Sequence, residues 1–331
     1  MIDVLPDILR RVDAGQPVAL CTVVRTRGSA PQKAGAVLVV AQDGGTSGTI
    51  GGGCVEAEVR TRALRLLAAA GPAPVPAGRL FTFKLDHDLG WDDGLVCGGT
   101  MEVAVEVIDS PAAAVGLRRA AADLAAERTA TVTVFATDDA GRTAAFERAV
   151  LPTPSLVIAG AGHVGAALAA VARLTDFRVT VIDDRPDLAS ASRFPGADCI
   201  IGEIEEVLAR FPITPHTYVV IVTRGHRRDG RALAAVVNSP AAYVGLIGSR
   251  RKIVTIFEEL AAAGVPRDAL RRVRAPIGLD VGAVTPAEIA VSIAAELVAV
   301  RRGAGDRAAG PMRLADEVFD RALAEVRPVA L

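Results

Sequence analysis

SLVIAGAGHVG, residues 155–165, is the stretch whose reading decides the fold. A run of Leu, Val and Ile enters Gly160-Ala161-Gly162-His163-Val164-Gly165, a G-x-G-x-x-G, and a small-residue helical pattern then continues to about 174. A buried strand, a tight turn and a helix N-terminus in that order suit a diphosphate. The first two glycines permit the turn and a close backbone approach, and the third permits helix–strand contact. The next strand pattern, RVTVID, ends on Asp183. It lies close to the roughly 20-residue spacing at which an acid accepts hydrogen bonds from a ribose diol. Asp184 and Arg185 follow, and an arginine there suits a 2′-phosphate equally well. The alternative is a sheet of the same kind whose crevice binds nothing, or something else.

Outward from this motif, DCIIG, TYVVIVT and YVGLIGS alternate with helical sequence. Near-continuous Val/Ile runs fit parallel strands buried on both faces, and the alternation predicts a doubly wound sheet. Two further junctions fall at its carboxyl edge, where such folds place ligands: Thr223-Arg224-Gly225-His226 and Gly248-Ser249-Arg250-Arg251-Lys252. The second suits a phosphate, or is simply a helix capped by Ser249. Asp229 stands three residues after His226. Without a third ligand, a local hydrogen bond is expected there rather than a metal. The last long helix opens on the capping box Thr285-Pro286-Ala287-Glu288 and closes at Arg301-Arg302-Gly303.

The first half has another rhythm. A helix is predicted over 3–14, strands over 18–26 and 36–41, a hairpin turn at Asp43-Gly44-Gly45 and a helix from about 54 to 70. Strands over 80–85 and 101–108 show period-2 patterning. Residues 1–110 thus form a smaller α+β domain and 111–150 a connecting helix and hairpin. The doubly wound domain spans 151–303, followed by a tail, 304–331, with a weak amphipathic helix at 312–327.

Three motifs of the first domain carry candidate chemistry. Gly51-Gly52-Gly53-Cys54 offers backbone N–H groups as an anion nest and a thiol at a helix N-terminus, where a thiolate is favoured. It reads equally as a glycine turn with a small core residue. Cys97-Gly98-Gly99 repeats the pairing of thiol and glycines in a loop. Arg25-Thr26-Arg27-Gly28-Ser29-Ala30-Pro31-Gln32-Lys33, a strand end entering a basic loop, could face an anion, or be a solvated hairpin connection. Cys21 and Cys199 sit in apolar strand patterns and are expected in the core.

Composition narrows the function classes. Lys+Arg 37 against Asp+Glu 38 gives a net charge of −1, with no polybasic field for nucleic acid. Four scattered cysteines without CxxC pairs argue against a disulfide scaffold or a structural zinc site. Residues 149–172 carry no formal charge, but Pro152, Pro154 and three glycines interrupt them, so no membrane span is expected. No signal peptide is visible, and the chain reads as a cytoplasmic protein.

The segments GSAPQKAGAVLVV, GTIGGGCVEAEV, LVCGGTMEV, LVIAGAGHVGAAL, VTRGH, YVGLIGSRRK and PIGLDVGAVTPAEIAVSIAAEL resemble the XdhC/CoxI family across about residues 10–302. These are accessory factors of xanthine dehydrogenase and related molybdenum hydroxylases, with an N-terminal XdhC/CoxI domain and a C-terminal Rossmann domain. The resemblance implies a chaperone for the molybdenum cofactor (molybdopterin) that supports its sulfuration with a cysteine desulfurase and delivers it to an apo-hydroxylase. It also implies a homodimer. Carried over by motif, Cys54 and Cys97 are the thiols near the cofactor, with Gly51, Gly52, Gly53, Gly98 and Gly99 around them and Arg27 and Lys33 beside them. Nucleotide contacts, with NAD(P) or another adenine nucleotide, would fall to Gly160, Gly162, His163, Gly165, Asp183, Asp184, Arg185, Thr223, Arg224, His226, Ser249 and Arg250. The chain lacks the cysteine spacing of an iron–sulfur enzyme, so it is not read as the dehydrogenase itself. The competing readings are an NAD(P)-dependent oxidoreductase, for which His226 is the only acid–base candidate, and a nucleotide-binding redox sensor using Cys54 and Cys97.

Overall fold

The computed structural model describes residues 2–69, 78–85 and 99–304 and divides the chain into two compact units, 1–153 and 154–331. Cys97, Gly98 and the expected helix at 312–327 lie outside the described residues.

The first unit is a seven-stranded sheet carrying helices on both faces. In chain order its elements are α1 (Leu5–Asp13), β1 (Val18–Arg27), β2 (Val37–Ala41), β3 (Thr46–Thr49), α2 (Gly53–Ala69), β4 (Gly78–Lys84), β5 (Thr100–Ile108), α3 (Val115–Ala125), β6 (Ala130–Thr137) and β7 (Thr143–Val150). The strand order is β3-β2-β1-β5-β4-β6-β7. β1 shows why the layers form. Its alternate residues Ala19, Cys21 and Val23 enter the core under α2, while Val18 and Leu20 enter the core under α1 and α3. α2 buries Val55, Val59, Ala63 and Leu67 against the sheet.

Residues 111–150 are not a connector. β6 pairs parallel with β4 at Gly78↔Ala136, and β6 places Ala130, Val132, Val134 and Ala136 in the same core as α1 and α3. The first domain therefore does not end near 110 but runs to the Pro152–Pro154 boundary. A period-2 pattern announces a hairpin without naming the sheet it joins, which is why the sequence alone separated it.

The second unit contains β8 (Ser155–Ala159), α4 (His163–Leu174), β9 (Arg178–Asp183), β10 (Asp198–Ile201), α5 (Ile204–Arg210), β11 (Thr217–Ile221), α6 (His226–Val236), β12 (Tyr243–Leu246), α7 (Arg250–Ala262), α8 (Arg267–Arg271), β13 (Val273–Arg274) and α9 (Pro286–Arg301). All strand pairs in its sheet are parallel, in the order β10-β9-β8-β11-β12-β13. Counted within the unit this is 3-2-1-4-5-6, the dinucleotide-fold order, and its direction reverses between β8 and β11. α4 and α9 cover one face with Leu168, Ala169, Ile293 and Leu297, and α5 to α8 cover the other.

The capping box at α9 is complete: Thr285 Oγ1 accepts from Glu288 N at 3.3 Å, and Glu288 Oε2 accepts from Thr285 N at 2.8 Å. Thr285→Ala should cost about 1 kcal/mol and lower Tm by about 2–4 °C. An unchanged calorimetric transition contradicts that assignment.

Candidate functional site

Three motifs far apart in sequence meet at one end of the first sheet. Arg27, the last residue of β1, pairs with Thr100, the first residue of β5. This brings Gly99 against the 27–29 backbone: a Cβ at position 99 would collide with the Ser29 carbonyl and come within 2.7 Å of that of Arg27. On the other side Gly51, at φ +122°, abuts the Pro31 ring so closely that a side chain there would overlap it. The GSAPQK loop, the GGGC turn and the last glycine of CGG are therefore one neighbourhood. Arg27 and Lys33 are exposed within it, and Cys54, second residue of α2, is half-buried.

Part of the glycine nest is satisfied within the chain. Glu56 Oε2 accepts from Ile50 N at 3.1 Å, from Gly52 N at 3.1 Å and from Thr49 Oγ1 at 2.8 Å, and Gly51 N donates to Thr49 Oγ1 at 3.1 Å. The chain's own carboxylate takes the place assigned to a phosphate. Partial burial pushes the Glu56 carboxyl up, but these donors outweigh it and leave its pKa below the usual value. An acid in the first turn of a helix was the available signal, since such residues reach back to N-terminal donors.

Cys21 is in the core, and burial pushes its thiol up to about 12. Cys199 is half-buried against the second unit's core, and desolvation followed by the Asp198 charge raises its pKa.

In the second unit the glycine loop lies at the reversal of strand order. Gly160, at φ +122°, sits so near the end of β11 that a Cβ would lie 2.6 Å from the Val222 carbonyl. Gly162 is the N-cap residue of α4, His163 its exposed first residue, and Gly165 packs against the Gly160 carbonyl.

Asp183 is hydrogen-bonded within the chain. It is 1% exposed. Its Oδ1 accepts from Arg185 N at 3.0 Å and Arg185 Nε at 2.7 Å, and its Oδ2 accepts from Ala161 N at 2.7 Å and Arg185 Nη2 at 2.8 Å. Burial opposes ionisation, but the Arg185 hydrogen bonds lead the causes that hold the carboxyl down at about 2. Asp184 accepts from Arg228 Nη1 of α6 at 2.6 Å.

Asp229 does not pair with His226. It is fully buried, accepts from Thr223 Oγ1 at 2.6 Å and forms an ion pair with Lys252 Nζ. Desolvation dominates and raises its pKa despite the lysine. Gly160, Thr223, Asp229 and Lys252 thus form a chain of neighbours along the sheet's carboxyl edge. Spacing alone could not show the Asp229–Lys252 pair, whose members belong to different helices. Ser249 caps α7, accepting from Lys252 N at 3.4 Å, and Arg224, His226 and Arg250 are exposed. Tyr243 is buried and donates to Glu296 Oε2.

The two units also match two family models. Residues 11–84 match the XdhC and CoxI family and residues 156–297 the XdhC Rossmann domain. The chain belongs to the XdhC/CoxI family. An Escherichia coli protein named only as the uncharacterized protein YqeB is 31% identical over 87% of this chain, which spans just 44% of that protein's length. A Bacillus subtilis relative, named as a probable subunit of xanthine dehydrogenase, is 28% identical, with 87% of this chain and 94% of that protein aligned. The E. coli molybdenum cofactor insertion chaperone PaoD is 27% identical, with 87% and 85% aligned. A crystal structure from Bacillus halodurans, described as a xanthine dehydrogenase, superposes with TM-score 0.76 at 24% identity over 91% of this chain and 96% of its own. That likeness establishes the fold alone.

Among the described residues no cluster of three or more His, Cys, Asp or Glu side chains could hold a metal ion, and no helix is long and apolar enough to cross a membrane.

Two outcomes follow from this geometry. Iodoacetamide mapped by mass spectrometry should label Cys54 well before Cys21 in the native protein; equal rates contradict the assigned burial. For Glu56 the folded pKa is lowered, so its stabilisation is present above the unfolded value and disappears as pH falls through the folded one. The stability gap between wild type and Glu56→Gln should be full at neutral pH and close in acid; a gap independent of pH contradicts the hydrogen-bonding account.

Proposed function

We propose that this protein is a molybdenum cofactor accessory factor and that the end of the first sheet, where residues 27–33, 51–54 and Gly99 converge, is where the cofactor is held. The single observation that carries the reading is that convergence: a basic loop, a half-buried thiol and a turn stripped of side chains share one surface. Support comes from the relative named a molybdenum cofactor insertion chaperone and from the relative named for xanthine dehydrogenase.

The donor set fits the group in two respects and departs from expectation in one. A thiol is a soft ligand suited to the metal–dithiolene end, and exposed Arg27 and Lys33 suit a terminal phosphate. The backbone donors of Ile50 and Gly52 are already satisfied by Glu56, so phosphate recognition passes to the two basic side chains while Glu56 stiffens the turn that carries Cys54. When bound, the cofactor supplies the metal chemistry. The chain's residues hold it, shield one side with the glycine turn and keep the Cys54 thiol at the start of α2. Cys97 is assigned the second thiol by motif. Sulfuration with a cysteine desulfurase, delivery to a xanthine dehydrogenase-type hydroxylase and action as a homodimer belong to the same proposal.

The crevice of the second unit is proposed as a separate ligand site, with the glycine loop at the reversal of strand order as its support. The oxidoreductase reading is not favoured, because Asp183 is occupied by Arg185.

Purification from a cofactor-producing host, with molybdenum analysis and pterin fluorescence, tests the main reading. Wild type should carry both signals. Cys54→Ala and Cys97→Ala should each lose most of them with Tm nearly intact. Full retention in both variants, or loss explained by unfolding, contradicts it.

A further inference from the structure

The acid at the end of β9 decides what the second unit's crevice can recognise. In a sheet of this order, that position is where a carboxylate takes the two hydroxyls of an adenosine ribose. A carboxylate offers about four acceptor positions. At Asp183 four donors fill them: the Ala161 amide from the glycine loop, and the amide, Nε and Nη2 of Arg185. The contact with the Arg185 amide closes a two-residue turn, and the guanidinium folds back onto the same carboxylate in the side-by-side fork that makes arginine–carboxylate pairs strong. The pairing is local to Asp183 and Arg185 and needs no other element to form. The neighbouring Asp184 is drawn toward α6, where its Oδ2 accepts from Arg228 Nη1.

We propose that Arg185 is the specificity-determining residue of this crevice: by occupying both oxygens of Asp183 it excludes ligands anchored through a vicinal ribose diol. This rests on the reading of the crevice as a ligand site. For a diol to bind, two charge-assisted hydrogen bonds to a buried carboxylate must be exchanged for two from neutral hydroxyls that water already serves. The exchange is uphill. A 2′-phosphate fares no better, since recruiting Arg185 would leave the phosphate facing the uncovered Asp183 carboxylate. The ligand class that suits the resting crevice is a phosphorylated molecule with no free ribose diol to place at β9. Both NAD- and NADP-type dinucleotides are disfavoured by the same contact.

The test is a gain of binding. Titration calorimetry with NAD+ and NADP+ is run on wild type, Arg185→Ala, and Arg185→Ala combined with Asp183→Asn. Thermal melts confirm that each protein is folded, and Arg185→Gln stands in should Arg185→Ala fail to fold. Uncovering Asp183 should tighten NAD+ binding by about tenfold or more, the equivalent of about 1.4 kcal/mol. NADP+ should gain nothing, and adding Asp183→Asn should cancel the NAD+ gain. NAD+ binding that is equal in wild type and Arg185→Ala, or weaker in the variant, overturns the role of Arg185 while leaving the crevice a nucleotide site. Absence of NAD+ binding in all three proteins overturns the inference and the nucleotide reading of the crevice together. Neither outcome touches cofactor carriage by the first unit, which is read by molybdenum content.

Discussion

Backbone touching backbone is the constraint on which the first unit's site depends. Where β1 leaves the sheet and β5 enters it, the chain passes so close to itself that position 99 has no room for a Cβ against the Ser29 carbonyl, and position 51 has none against Pro31. These contacts join three segments that would otherwise be separate loops. They are also why the surface there is bare: a glycine turn presents amide and carbonyl groups rather than side chains, and whatever lies on it can approach closely. The strand pairing of Arg27 with Thr100 fixes the approach from below, and Glu56 fixes the turn from the helix side through three hydrogen bonds. A thiol at the first turn of α2 is thereby held in a defined place.

The second unit follows a different logic with the same economy. Its parallel sheet is buried on both faces, so polar groups collect at the carboxyl edge, where the strands end. There each of three acids has been given a basic partner: Asp183 with Arg185, Asp184 with Arg228 and Asp229 with Lys252. Burying such charges is costly unless they are paired and hydrogen-bonded. The result is that these three acids are each compensated within the chain. The edge has the topology of a dinucleotide site without a free acid at β9 to anchor the sugar.

How far the sequence could be read depended on whether an interaction was local. The G-x-G-x-x-G, the Val/Ile runs and the Thr285–Glu288 box are short-range patterns, and the strand order and capping geometry agree with them. The hairpin over 130–150 was visible as a hairpin, yet its membership of the first sheet was not, because pairing of β6 with β4 joins residues more than 50 apart. At the sites, the motifs named the right loops but misjudged what satisfies them. Glu56, Arg185 and Lys252 each occupy a group that a motif presents as available. Glu56 and Arg185 sit two to seven residues from the groups they occupy, within reach of a search for internal hydrogen-bond partners. Lys252 meets Asp229 across two helices, and only the fold could show it.

In the function proposed, residues 27–33, 51–54 and Gly99 form one surface that takes the cofactor. Hydrogen–deuterium exchange compares it directly between protein purified from a cofactor-producing host and from a host unable to make the cofactor. The account predicts that loading slows exchange in peptides covering 27–33 and 50–56 together with that ending at 99–100. Protection confined to residues 156–165 and 223–229, or no difference between the two preparations, would contradict it.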